Sequence, residues 1–479
     1  MERYVLLLIG VLGVCSLFVY AQPSELPKPI NIEGIWQGVL KVAGMDITVV
    51  FKVSKKPDGT LMATMDIPTQ GAKDIPVDKV ILKNNTLRLE MKSIQGVFEG
   101  NIKDDKLTID GQWNQNGSFP LVLEKVEKAP EIRRPQEPKK PYPYDEEEVI
   151  YENKKAGIKL AGTLTLPRDK KTFPAVLLIQ GSGPLDRNET ILGHRPFKVL
   201  ADYLTRRGIA VLRADKRGIS KSPSDFLLAT GEDFASDVLA GVEYLKSRKE
   251  INPKKIGLIG HSEGGFIAPM VAVQSPDVAF IVMWAGPGLT GEETLCLQMS
   301  LMAKAKGVND EMITKGLKLQ ERLFAEIKQE KNNTAAEKEL RKILTNGLKE
   351  LSPEEKEAMN LSEATMGSQT IQYMLSSWYR YFLTYDPKPT LKKVKCPVLA
   401  INGEKDLQVP AKANLSAIEE CLKAGGNKYY TIKELPGLNH LFQPAATGAV
   451  SEYGKIEETI SPTALKIIGD WVLEQTGEK

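Results

Sequence analysis

Gly260-His261-Ser262-Glu263-Gly264 decides how the rest of the chain is read. It follows a short apolar run, Ile256-Gly257-Leu258-Ile259, and precedes a helix-like segment, Gly265-Phe266-Ile267-Ala268-Pro269-Met270-Val271-Ala272. Strand, tight turn and helix are the context in which Gly-x-Ser-x-Gly acquires a chemical meaning, a serine held on a strained turn with its hydroxyl exposed. Small residues flank it because strand and helix pass close together there. The pentapeptide alone is common by chance. The strand before it, the helix after it and the partners downstream make it specific.

A serine hydroxyl is a poor nucleophile at neutral pH and needs a base within hydrogen-bond reach. The chain has three histidines, His194, His261 and His440. His261 adjoins Ser262, so its side chain leaves the turn in another direction and reads as packing. His440 lies in Gly437-Leu438-Asn439-His440-Leu441-Phe442, a loop between the last apolar strand and the last helix, and is preferred over His194 as the base. A carboxylate must fix its tautomer and stabilise the imidazolium. Asp406, in Asn402-Gly403-Glu404-Lys405-Asp406, follows the strand Val398-Leu399-Ala400-Ile401 and is preferred over Glu404. The order Ser, Asp, His is the one such a sheet produces. Two backbone donors must meet the developing oxyanion. One is expected from Glu263, directly after the serine. The other is expected from Gln180-Gly181-Ser182-Gly183-Pro184, with Ser182 ahead of Gly183. A phosphate-cradling loop is the rival reading of those glycines, but the Lys-Ser/Thr ending it needs is absent.

Around this core, residues 145–479 alternate apolar strands with amphipathic helices, the signature of a mostly parallel sheet covered on both faces. An opening strand pair at 149–151 and 158–166 is followed by strands at 175–179, 210–213, 256–259, 280–284, 398–401 and 429–435. Helices are expected near 197–207, 232–248, 265–273, 411–423 and 461–475. The alternation breaks at about 287–385, a helix-rich, charged stretch with helical patterns at 293–306, 310–329, 335–348 and 370–382. Its position predicts a helical cap over the carboxyl ends of the strands, where ligands bind in such sheets.

Residues 22–128 read as a separate all-β unit of short alternating runs with turn signals at Pro57-Asp58-Gly59, Asn84-Asn85 and Asp104-Asp105. A small antiparallel sheet or partly closed barrel is expected, with Trp36 and Trp113 in its core. Residues 129–144 carry five prolines among charged residues and predict an extended, semi-rigid linker.

A length of 479 residues exceeds one ordinary domain. With 64 Lys and Arg against 61 Asp and Glu, the net charge of +3 gives no electrostatic case for a nucleic-acid partner. Residues 1–21 read as a secretory signal peptide: a charged start, an apolar run at 5–19, and cleavage expected after Ala21. That predicts a secreted or periplasmic protein without stable membrane insertion after cleavage; an uncleaved anchor is the alternative. Cys15 leaves with the signal. Cys296, Cys396 and Cys421 have no metal-ligand spacing and read as buried thiols.

These motifs together resemble the α/β-hydrolase superfamily, and within it bacterial secreted hydrolases of the serine aminopeptidase-like and esterase-like kind. The resemblance rests on Gly181-Ser182-Gly183-Pro184-Leu185-Asp186-Arg187-Asn188, Asp215-Lys216-Arg217-Gly218, Gly260 to Gly265, Gly403-Glu404-Lys405-Asp406 and Asn439-His440, over about residues 151–476. It implies an α/β-hydrolase fold behind a small all-β domain, a triad of Ser262, Asp406 and His440, and oxyanion donors at Ser182 and Glu263. Two positions depart from it: Gln180 stands where many relatives have His, and Ser220 where Asp-x-Arg-Gly-x-Gly has its last glycine. Asp215 and Arg217 read as braces for their loop; Asp186 and Arg187, nearer the oxyanion loop, also read as structural, with orientation of a polar substrate as the alternative.

The chemistry expected is cleavage of a carboxylic ester through an acyl-enzyme, with no metal or organic cofactor and a small-molecule ester or short peptide as substrate. One alternative is an aminopeptidase-like amidase, in which Glu263 or an acid of the cap holds the substrate amine. The other is a non-catalytic protein that binds envelope or carbohydrate.

Overall fold

The computed structural model describes residues 31–42, 45–115, 117–168, 171–352, 355–356 and 367–477. The expected signal peptide and Cys15 lie outside the described residues. Among those described, no helix is long and apolar enough to cross a membrane.

The amino-terminal unit is a nine-stranded antiparallel sheet with the order β4-β3-β2-β1-β9-β8-β7-β6-β5. Its strands are β1 (Gly34–Val42), β2 (Met45–Lys55), β3 (Leu61–Ile67), β4 (Ala72–Pro76), β5 (Lys79–Lys83), β6 (Thr86–Met91), β7 (Gly96–Ile102), β8 (Thr108–Asn114) and β9 (Ser118–Val126). Period-two alternation puts Trp36, Phe51, Met65, Leu87, Leu89, Phe98, Ile109 and Trp113 on one face, where they form a single buried cluster. Asn84-Asn85 is the two-residue turn between β5 and β6, whose register runs to Lys83↔Thr86. The sequence reading missed β4. Its stretch, Ala72-Lys73-Asp74-Ile75-Pro76, buries none of its residues and ends in proline, so the alternation that marks the other strands is weak there.

The second unit is an eight-stranded sheet, β10-β11-β13-β12-β14-β15-β16-β17. It comprises β10 (Asp145–Asn153), β11 (Ile158–Leu166), β12 (Phe173–Ile179), β13 (Ala210–Ala214), β14 (Ile251–His261), β15 (Val278–Trp284), β16 (Val398–Gly403) and β17 (Tyr430–Leu435). The first two strands are antiparallel, and from β13 to β17 every pairing is parallel. Helices α1 (Pro196–Thr205), α2 (Gly231–Ser247) and α3 (Glu263–Gln274) fill the early crossovers. Two separate cores, one on each sheet face, account for the near-continuous apolar runs of the central strands.

Between β15 and β16 lies an insertion that has no strand among its described residues. Its helices are α4 (Gly291–Ala305), α5 (Asp310–Gln329), α6 (Asn333–Lys349), α7 (Ser368–Met374), α8 (Ser377–Thr384) and the short α9 (Lys388–Leu391). The single helix expected over 370–382 is broken in two, because Ser376 takes an extended conformation and its hydroxyl caps the Tyr379 N–H. The insertion has its own apolar core, built on Leu319, Leu323, Phe324, Leu340 and Ile371. The remaining helices are α10 (Ala411–Ala424), α11 (Val450–Tyr453) and α12 (Pro462–Thr476).

The proline-rich segment is docked rather than free. The Arg134 guanidinium donates to four carbonyls on two loops: Leu192 at 3.1 Å, Gly193 at 3.3 Å, Gly454 at 2.9 Å and Ile456 at 2.8 Å. Gln136 accepts the Thr459 and Ile460 N–H groups and donates to the Ile460 carbonyl. The β-unit touches the same region, where Lys455 pairs with Asp46 at 3.6 Å.

Candidate active site

Strand β14 delivers Ser262 to the carboxyl edge of the sheet, and α3 begins at the next residue. Ser262 has φ 53° and ψ −117°, a strained conformation for any residue with a Cβ. Its N–H bonds the Trp284 carbonyl at 2.9 Å, which keeps the turn against β15. A methyl at Gly260 would overlap the Gly264 carbonyl, and one at Gly264 would overlap the Ile179 carbonyl, so strand and helix can approach only with hydrogen at both places. The Ser262 side chain is half-buried, and its hydroxyl has no hydrogen-bond partner among the described residues.

The loops after β16 and β17 bring Asp406 and His440 into contact. His440 Nδ1 is 2.7 Å from Asp406 Oδ2, and both residues are buried. Asp406 Oδ1 accepts the Gln408 and Val409 N–H groups, each at 2.8 Å, so both carboxylate oxygens are engaged. This geometry leaves Nε2 as the ring atom available to a hydroxyl. His440 is held next to the elbow through its backbone: its carbonyl accepts from His261 Nε2 at 3.1 Å, and the two imidazole centroids are 4.7 Å apart.

The loop after β12 places Ser182 on the same rim. Its N–H meets no acceptor among the described residues. Glu263, as the first residue of α3, has an N–H without a partner in the helical ladder. A Cβ built on Gly181 would lie 3.1 Å from Ser262 Cβ, so the loop packs directly on the elbow. Of the five expected site residues, Asp406 and His440 touch, Ser262 is one residue from the ring that holds His440, Glu263 follows the serine directly, and Ser182 follows the glycine that packs on it.

Residues outside those five also reach the site. Glu189 Oε1, fully buried, accepts the Gly181 N–H at 2.7 Å and pairs with His261 Nδ1 at 2.9 Å. Burial would depress the His261 pKa, but the Glu189 charge and hydrogen bond, the His440 carbonyl and the Asp406 charge together raise it above the ordinary histidine value. With one ring nitrogen facing a carboxylate and the other a carbonyl, both positions suit N–H donors, the imidazolium form. Lys216 Nζ donates to the Gly181 carbonyl at 2.8 Å and to Glu263 Oε2 at 2.7 Å. Trp378, on α8 of the insertion, donates to Glu263 Oε1 at 2.7 Å. Lys216 lay within a motif, yet no spacing singled it out. Trp378 left no sequence signal at all, because only the chain's path over the sheet brings it there.

The other residues considered have structural partners. Arg187 binds Asp215 through two nitrogens, and Arg217 does the same to Asp237. Asp186 accepts from Asn188 and Thr190. Glu404 caps the Gly437 N–H. His194 is buried against Thr459 and the Tyr453 carbonyl, and burial pulls its pKa down to about 4. Gln180 donates to the Asp186 and Ala214 carbonyls. Ser220 has φ 50°, the conformation that explains glycine at that place in the pattern. Cys296, Cys396 and Cys421 are free thiols, with Cys421 buried.

Residues 195–443 match the family described as serine aminopeptidase, S33. Esterase EstD of Thermotoga maritima is 28% identical over 285 residues, 59% of this chain and 58% of that protein, so the match spans less than two thirds of the relative's length. Among solved structures, Est1E of Butyrivibrio proteoclasticus with ferulic acid bound aligns at 17% identity and TM-score 0.41, over 69% of this chain and 100% of that one. The Pyrococcus furiosus esterase Pf2001 aligns at 15% identity and TM-score 0.41, over 70% and 91% respectively. With the family match extending over more than half of its residues, the chain belongs to the serine aminopeptidase S33 family, within the α/β-hydrolase superfamily.

Proposed function

We propose that this protein is a secreted serine hydrolase that cleaves carboxylic esters through an acyl-enzyme, with Ser262, His440 and Asp406 as its triad. The observation that carries this reading is the buried 2.7 Å contact from His440 Nδ1 to Asp406 Oδ2, on the same rim as a serine in a strained strand-to-helix turn. Ser262 Oγ attacks the ester carbonyl carbon while its proton passes to His440 Nε2. The oxyanion is met by the Ser182 and Glu263 N–H groups. Collapse expels the alkoxide, which takes the proton from His440. Water then adds to the acyl group, giving a proton to His440, and the acid leaves as Ser262 recovers it. No hydrogen bond joins Ser262 Oγ to His440 among the described residues, and such bonds often tighten only when substrate is bound. The insertion serves as a cap over this rim, and the apolar amino-terminal run directs export.

The family's description keeps amide cleavage as the second reading. An aminopeptidase needs a free carboxylate for the substrate amine. Both Glu263 oxygens are already engaged, one by Lys216 and one by Trp378, which leaves an acid of the cap as the carboxylate that reading would need. Labelling by a fluorophosphonate, lost in Ser262→Ala, tests the nucleophile. Matched p-nitrophenyl esters and aminoacyl p-nitroanilides test the bond. Unlabelled wild-type protein would sink the first reading, and faster anilide turnover would replace the ester with the amide.

A further inference from the structure

The peptide units on either side of Gly181 are gripped by two buried charged side chains. Its N–H is taken by Glu189 at 2.7 Å, and its carbonyl by Lys216 at 2.8 Å. In a trans peptide the carbonyl and the following N–H point in opposite directions. The sole cis peptide among the described residues is Lys140–Pro141, so the bond from Gly181 to Ser182 is trans. Drawing the Gly181 carbonyl toward Lys216 therefore turns the Ser182 N–H the other way. That N–H has no acceptor among the described residues, and the Gly181 backbone packs on the Ser262 side chain.

Each of these side chains also holds a second part of the site. Lys216 pairs with Glu263 Oε2 at 2.7 Å, and Glu263 supplies the other free N–H beside the serine. Glu189 pairs with His261, whose far nitrogen faces the His440 carbonyl. Lys216 and Glu263 side chains are 5% and 1% exposed, and those of His261 and Glu189 5% and 2%. Lys216 also lies over the rings of Phe234 and Phe226, at 4.5 and 5.2 Å. Desolvating two ion pairs costs more than apolar packing in the same volume, so stability alone does not account for them. What an apolar side chain could not supply is a donor for the Gly181 carbonyl and an acceptor for its N–H.

We propose that Lys216 and Glu189 are positioning residues that fix the two peptide units flanking Gly181, Lys216 the Gly181–Ser182 unit and Glu189 the Gln180–Gly181 unit, and so aim the Ser182 N–H at the oxyanion formed on Ser262. This rests on the serine-hydrolase reading above. Neither residue touches substrate. Lys216 acts through the Gly181–Ser182 peptide, and Glu189 through the Gly181 N–H and His261. A misdirected donor weakens binding of the tetrahedral oxyanion but not of the planar ester, so the loss belongs in kcat and not in KM.

The test compares wild type with Lys216→Met, Lys216→Arg and Glu189→Gln in the full-length mature protein. The readouts are kcat and KM on a p-nitrophenyl ester, affinity for a trifluoromethyl ketone that forms a tetrahedral adduct, and thermal melting. Lys216→Met is expected to lose about 10- to 100-fold in kcat, with KM within about threefold and ketone affinity falling in parallel; outright loss of an oxyanion donor costs more. Lys216→Arg, which keeps a donor and a charge, should recover part of the loss. Glu189→Gln should lose less than Lys216→Met, since its amide oxygen can still accept the Gly181 N–H. If Lys216→Met does not fold, the same kcat-only loss is required of the other two. A folded variant set with wild-type kcat, a loss confined to KM, or unchanged ketone affinity overturns the proposal. Wild-type protein that neither labels nor turns over ester overturns the hydrolase reading and this inference with it. A wild type that turns over ester while the variants match it overturns only the positioning role.

Discussion

His440 Nδ1 and Asp406 Oδ2 stand 2.7 Å apart across 34 residues of sequence, with the other Asp406 oxygen tied to two backbone N–H groups. The carboxylate cannot rotate away from the ring without giving up the Gln408 and Val409 amides. Asp406→Asn would offer an N–H either to those amides or to the imidazole, and so favour the wrong tautomer. A fall of about 10⁴-fold in kcat is expected, by analogy with how such triads respond, with an unaltered circular dichroism spectrum. A variant within tenfold of wild type would remove Asp406 from the triad.

Trp378 makes a polar contact from the insertion to the residue after the serine. Trp378→Phe keeps the ring that stacks on Phe382, with centroids 5.5 Å apart, but removes the N–H that satisfies buried Glu263 Oε1. A buried acceptor left without its donor costs about 1–3 kcal/mol. Urea unfolding should show that loss while fluorophosphonate still labels Ser262. Unchanged stability would mean that the hydrogen bond contributes nothing net.

Arg134 joins the proline-rich segment to the loops at Leu192-Gly193 and Gly454 to Ile456. Arg134→Ala removes donors to four carbonyls and should cost about 2 kcal/mol, as for hydrogen bonds from a charged group. Limited proteolysis should cut within residues 129–144 faster in the variant than in wild type. Equal cutting rates would show that the segment is held by other contacts.

His194 makes stability depend on pH. Its folded pKa of about 4 lies below the ordinary value of 6.5 because burial disfavours the charged ring. Between those two values the unfolded chain binds a proton that the folded protein refuses, so stability falls as pH drops from 6.5 toward 4, by up to about 3 kcal/mol in all. Well above pH 6.5 both states are neutral at this site and it contributes no slope. The urea midpoint of His194→Gln should therefore decline less steeply over that window than wild type. Parallel declines would assign the slope to other groups.

The parallel sheet was legible because its central strands are buried on both faces and read as apolar runs between amphipathic helices; α5, at Asp310–Gln329, fell on its expected limits. The break at Ser376 was not legible, since a serine mid-helix and a serine cap look alike until the chain turns. Strand β4 escaped because it buries no residue. Lys216 and Glu189 escaped because their value lies in the two peptide units that flank one glycine, which no spacing along the chain encodes.

Local chemistry alone determined where the serine elbow, the candidate acid and the candidate base stand in the chain. Turn glycines, strand ends and residue type are properties of a few neighbouring residues. Tertiary structure decided which nitrogen of His440 meets Asp406, that both Glu263 oxygens are engaged internally, and that Trp378 of a distant helix reaches the elbow. Hydrogen bonds between loops depend on positions fixed to a few tenths of an ångström by the packed sheet, and a sequence pattern carries no such distances.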